Sequence, residues 1–254
     1  MKRLLVAIIV VMAVCAASAQ ESKTTTPAPQ AAKAKSSPAS GEVQAVAKND
    51  LLVPFSSIKV DAPVNIIFKK VANNDGLSIS YDTKGDVDSK FRFEVDRKGT
   101  LVITEKSDSK RLTVTDVVVS YNNLKWVKIA HAKAEFESEI ETSLFDIAIS
   151  GGAMVTLNVK TLDVAVECTG SSRLTLGGST KYLTMKASTA KINCSDLSTV
   201  SATIEASHSA EVRLSVSERL EVTATTGARL LYKGKPSILR NHDVVFGGEV
   251  INID

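Results

Sequence analysis

The chain has 254 residues, 44 % of them hydrophobic and only 5 % aromatic, with 31 Lys and Arg against 28 Asp and Glu. That length suits one large β core or two small domains, and a bias to Ser, Thr, Val and Ala suits narrow, tightly stacked strands better than a roomy ligand barrel. The first 50 residues carry the whole net charge of +3, so residues 51–254, with 25 basic and 25 acidic side chains, lack the basic footprint that a nucleic-acid partner requires.

Lys2 and Arg3 precede an apolar run from Leu4 to Val14, and Ala17-Ser18-Ala19 comes next. A short positive region, an apolar stretch and a small-residue site form a secretory signal over 1–19, cleaved before Gln20. The run is well short of the roughly 20 residues of a membrane span, so no transmembrane segment is expected after cleavage. A lipoprotein would acylate Cys15, but Val14 stands where a small residue is wanted. Residues 20–50 are rich in Ala, Ser, Thr, Pro and Lys, and cannot bury enough surface to offset their ordering entropy. They read as a disordered linker, leaving 51–254 as the folded domain.

The domain opens with strand-like runs: Phe55 to Val60, Val64 to Phe68, Leu77-x-Ile79-x-Tyr81, Phe91-x-Phe93-x-Val95 and Leu101-x-Ile103. Between them lie Asn73-Asn74-Asp75-Gly76, Lys84-Gly85-Asp86 and Arg97-Lys98-Gly99, residues that tolerate hairpin turns. These strands are expected to cap and flank a longer repetitive region on their C-terminal side.

From Val127 the chain alternates apolar and polar residues, the period of a half-buried strand. It also repeats itself. Phe145-x-Ile147-x-Ile149 leads to a Gly-Gly-Ala corner and then Val155-x-Leu157; four further copies begin at Leu162, Leu183, Ala202 and Leu220, and a looser one at Val127. The small corner residues Ala132, Ala153, Ser172, Ala190, Ala210 and Ala228 are 21, 19, 18, 20 and 18 positions apart. Each unit is too small to bury its own apolar face, so units must stack. The expected fold is all-β: a right-handed parallel β-helix or β-roll-like solenoid of about six rungs of 17–21 residues, with extra strands on its N-terminal side. Phe145, Leu162, Leu183, Ala202 and Leu220 should form one internal column, and Ile147, Val164, Met185, Ile204 and Val222 the next. Val244 to Val250 would supply a last partial rung. Cys168 and Cys194 fall on different walls, beyond the roughly 7 Å between α-carbons that a bridge allows, so no disulfide is expected.

A Phe-x-x-Ile-x-Val opening (Phe55 to Val60) before a second strand (Val64 to Phe68), a Gly-x-Leu-x-Ile stretch (Gly99 to Ile103) and serial Ser/Thr-Gly-Ala/Ser corners resemble the bacterial putative auto-transporter adhesin family with the head GIN domain. The resemblance covers about residues 51–254. It implies an exported β-solenoid, commonly of gut-type Gram-negative bacteria, and brings no catalytic motif. The unit from Val127 to Phe136 departs from the pattern, with Ala130-His131 where Ser-Gly would be expected.

Little in the chain points to catalysis. Polysaccharide lyases on β-helices need converging carboxylates for calcium beside a basic residue. Here the outward positions of successive units read Asp146, Asp163, Thr184, Thr203, Glu221 and then Ala148, Ala165, Lys186, Glu205, Thr223. Two stacked aspartates make a poor calcium site, and Lys186 with Glu205 makes a surface ion pair. His131 and His208 sit at corners, His242 stands alone, and no metal-binding spacing is present. Trp126, the only tryptophan, reads as a cap on the core. No catalytic, cofactor or metal-binding residue is therefore expected. The reading is an exported envelope or surface protein, whether periplasmic, on the outer membrane or secreted, acting as a non-catalytic adhesin-like module for a surface glycan or protein. Homo-oligomer formation is left open. The alternative is a carbohydrate-active enzyme, a lyase or hydrolase, on a β-helix scaffold.

Overall fold

The computed structural model describes residues 48–85, 90–106 and 113–254; the signal segment with Cys15 and its cleavage site, and residues 20–47, lie outside the described residues. Seven strands precede the repeats: β1 (Lys48–Leu51), β2 (Ser57–Asp61), β3 (Val64–Lys70), β4 (Ser78–Asp82), β5 (Arg92–Val95), β6 (Thr100–Thr104) and β7 (Thr115–Tyr121). Ten more carry them: β8 (Trp126–Ala130), β9 (Lys133–Phe136), β10 (Ile140–Ser150), β11 (Met154–Thr169), β12 (Arg173–Ser188), β13 (Lys191–Ser207), β14 (Glu211–Thr225), β15 (Arg229–Lys233), β16 (Ile238–Val245) and β17 (Glu249–Asn252). The first strand starts within the last three residues of the segment read as linker. Asn74–Gly76 forms a single 3-10 turn.

The long strands β11 to β14 have 15 to 17 residues because each crosses two walls of the solenoid. After a corner the chain forms the second wall, bends mid-rung, and forms the first wall up to the next corner. Neighbouring rungs pair in parallel along both walls. The strands β8 to β17 make about seven turns, in keeping with about six repeats and a last partial rung at Val244 to Val250.

On the first wall the internal columns are Phe145–Val164–Leu183–Ala202–Leu220, Ile147–Val166–Met185–Ile204–Val222 and Ile149–Cys168–Ala187–Ala206–Ala224, all buried. The third column shrinks to alanine because it lies beside the corner, where the two walls meet. On the second wall Val155, Leu174, Ile192, Val212 and Leu230 stack. One copy differs from the sequence reading. Leu162 is not internal but 51 % exposed at the mid-rung bend, and Val164 takes the leading column. Alternation has period two, so sliding a strand by two residues preserves its pattern. Distance to the corner breaks the tie: Val164, like Phe145, Ala202 and Leu220, lies eight residues before its corner residue, and Leu162 lies ten.

All six small corner residues are buried, at 2 % exposure or less. Ahead of them the backbone takes left-handed conformations, paired at Gly151-Gly152, Gly170-Ser171, His208-Ser209 and Thr226-Gly227. Two such residues in succession reverse the chain in the least space, which is why Gly recurs there. At the mid-rung bend Gly178 has φ +100°, and a Cβ on it would stand 2.0 Å from the Val159 carbonyl oxygen, so only glycine fits.

The N-terminal half does more than flank. Strand β2 lies parallel between β6 and β8, and β3 lies parallel between β7 and β9. Both pairs, β2–β3 and β6–β7, thus continue the stack, with buried Ala62 as another small corner residue. Chain order is permuted here, because β6–β7 sits outside β2–β3. Among the described strands the antiparallel pairs are β1–β4, β4–β7 and β5–β6, so β1, β4 and β5 break from the parallel stack. They close this end, where Tyr81, Phe91 and Phe93 cluster with ring centroids 4.7 to 6.1 Å apart.

Candidate binding face

The first wall turns half of each strand to solvent, and stacking aligns those side chains about 4.8 Å apart. One outward ladder runs Trp126, Asp146, Ala165, Thr184, Thr203 and Glu221. The next runs Lys128, Ala148, Glu167, Lys186, Glu205 and Thr223. The register of Val164 thus corrects two outward positions. Asp163 pairs with Leu144 and Tyr182, not with Asp146, so the stacked aspartates do not form. Glu167, not Ala165, comes next to Ala148, which sets Lys186 between two carboxylates. Lys186 Nζ lies 3.1 Å from Glu205, and both side chains are more than half exposed. Such a pair is worth under about 1 kcal/mol.

Ala148 and Ala165 on adjacent rungs leave a low floor, and a groove of about 490 Å³ opens above them. Trp126 forms one side, and Lys128, Asp146, Glu167 and Lys186 supply its polar groups. A second depression, about 400 Å³, continues past Lys186 toward Ser188, Glu205 and Ser207. Trp126 is therefore not a core cap. It stands in register with outward Asp146 and is half-buried at the groove's edge. Its sequence signal was present: Trp126 directly precedes the inward Val127, so alternation points it outward.

The histidines are dispersed. His131 Nδ1 lies 3.1 Å from Asp61 Oδ1 at its corner. His208 lies 3.0 Å from Ser207 Oγ and 3.2 Å from Ser188 Oγ. His242 Nε2 lies 3.6 Å from Glu221. The Arg219 guanidinium, hydrogen-bonded to Glu221, holds that carboxyl below its ordinary range, with His242 adding to the effect. Cys168 and Cys194 are buried, unbridged thiols on different walls. Burial pushes both up to about 12, so neither supplies a thiolate nucleophile at neutral pH. Among the described residues no three His, Cys, Asp or Glu side chains gather as metal ligands. Among the same residues, no helix is long and apolar enough to cross a membrane.

No curated protein sequence matches the chain. Solved structures do. A "putative adhesin" from Bacteroides fragilis superposes with TM-score 0.73 at 16 % identity, over 82 % of this chain and 96 % of that one. Another from Parabacteroides merdae gives 0.67 at 15 %, with the same coverages. A "putative lipid binding protein" from Parabacteroides distasonis gives 0.62 at 16 %, again over 82 % and 96 %. At these identities the likeness is one of fold. A family profile described as "Putative auto-transporter adhesin, head GIN domain" matches residues 54–236, from just before β2 to just short of β16. The chain belongs to that adhesin family, as its strand pattern and corners suggested.

Proposed function

We propose that the protein is exported and works at the cell envelope as a non-catalytic, adhesin-like module that holds a surface glycan in the groove beside Trp126. The observation that carries this reading is the groove's make-up: an indole flank, a floor of two alanines and a rim of two lysines and two carboxylates. A sugar ring offers an apolar face to stack on the indole, and hydroxyls to hydrogen-bond with the rim. Stacked rungs fix these groups on rigid strands, so little ordering entropy is lost on binding. Family membership agrees with a binding role.

A glycan array probed with the mature protein and with Trp126→Ala tests the reading. The wild type should retain a restricted set of glycans, and the variant should lose them by roughly tenfold or more. Equal binding by both would remove Trp126 from the site, and cleavage of a polysaccharide into unsaturated or reduced-size products would favour the enzyme instead. Export is tested by the intact mass of the secreted protein, which should begin at Gln20 without lipid.

A further inference from the structure

The last rung has features that no other rung shares. Among the described strands, β16 pairs only with β14, and β17 only with β15, so both leave one edge of backbone N–H and C=O groups unpaired. Exposed edges of this kind are usually blunted by short length, charge or proline. The edge strands β1 and β5 have four residues each and carry Lys48, Asp50, Arg92 and Glu94. Strand β16 also carries charge, in Arg240 and Asp243, but it has eight residues, and Ile238, Leu239 and Val245 on it are 40 to 44 % exposed. Phe246 comes next at 84 % exposure, with φ +53°. A bulky residue in that conformation is strained. Four of the twelve exposed large apolar side chains among the described residues thus fall within nine consecutive positions.

The order of residues in β16 indicates what covers it. Pairing with β14 sets Ile238, Arg240, Asp243 and Val245 on the outward side and Leu239, Asn241 and Val244 over the core, with an irregularity at His242. The outward side reads apolar, cation, anion, apolar, and so it complements itself when reversed. A two-fold axis brings two copies of one strand together antiparallel, with each residue i meeting j and each j meeting i. Centred between Asn241 and His242, that pairing sets Arg240 against Asp243, Ile238 against Val245 and Leu239 against Val244. Each pair shares one face of the sheet, as opposite residues must. The irregularity meets its own copy.

We infer that the partner of this edge is a second copy of the chain, joined end to end through antiparallel β16 strands into a two-fold dimer with one sheet running through both solenoids. Phe246 and the β17 edge lie at the same end and would be covered with it. Strands β16 and β17 lie beyond residues 54–236, the span matched by the family profile.

Light scattering on the full mature chain, over a concentration series, should give a dimer. Asp243→Arg sets Arg opposite Arg twice and should weaken the dimer roughly tenfold or more. Adding Arg240→Asp to that variant exchanges the charges and should restore association. Thermal melts of all three check that the rungs remain folded. A wild type that stays monomeric at high micromolar concentration overturns the inference. So does a dimer indifferent to Asp243→Arg, which would use another surface, or a double variant no better than the single one.

Discussion

The two ends of the solenoid solve one problem differently. At the N-terminal end the chain abandons parallel stacking: β4 and β5 turn antiparallel, β1 adds a short charged edge, and Tyr81, Phe91 and Phe93 fill the space between the walls. At the C-terminal end, among the described strands, β16 and β17 pair on one side alone, and Leu239 and Phe246 are exposed. A stacked fold gains most of its stability from contacts between neighbours, so its ends carry apolar surface with only one neighbour. Here one end is sealed within the chain, and the other presents that surface outward.

The largest effect should separate the ends directly. Phe91 is 6 % exposed and packs on Tyr81, so Phe91→Ala should cost about 3–5 kcal/mol. Phe246→Ala should change the stability of the monomer by less than about 0.5 kcal/mol, and act only on association. Chemical denaturation of both variants at low protein concentration tests the contrast.

Between the ends, corner packing sets stability. Ala210 is fully buried inside its corner, so Ala210→Leu should cost roughly 1–3 kcal/mol through overpacking, although leucine is the more hydrophobic residue. A thermal melt equal to wild type would mean that the corner is open. High pH probes the buried interior more gently. Cys168 and Cys194 move from an ordinary 9.0 to about 12, and the partnerless Tyr121 hydroxyl from 10.0 to about 12, chiefly through burial, with Cys168 adding to the rise at Cys194. These acids hold their protons more tightly when folded. Their contribution is full below about pH 9 and is lost as pH rises from there toward 12. Stability should therefore fall across that window, and Cys168→Ala with Cys194→Ala should flatten the fall.

Much of the fold is legible in the sequence because corner chemistry and alternation recur together. Ala153, Ser172, Ala190, Ala210 and Ala228 mark the rungs correctly, and the Lys186–Glu205 contact comes directly from them. What alternation does not supply is register within a rung, which is how Leu162 is misplaced and Glu167 missed as a neighbour of Lys186. The N-terminal rungs are hidden for a different reason. Their order in space is permuted relative to the chain, so β2–β3 and β6–β7 show no fixed period. The groove is half visible: Trp126 and the charged ladder positions stand out in the sequence, but the floor exists only once Ala148 and Ala165 are placed on adjacent rungs.

The groove and the rungs alike depend on the register set by the corners, and Leu162→Asp tests it most directly. Alternation would bury that carboxylate in the leading column, at a cost of several kcal/mol. The structure leaves Leu162 half exposed at the bend, so the thermal midpoint should stay within about 2 °C of wild type, the shift expected for well under about 1 kcal/mol in a domain of this size. A fall of ten degrees or more would contradict the register, and with it the placing of Ala148 and Ala165 on adjacent rungs beside Trp126.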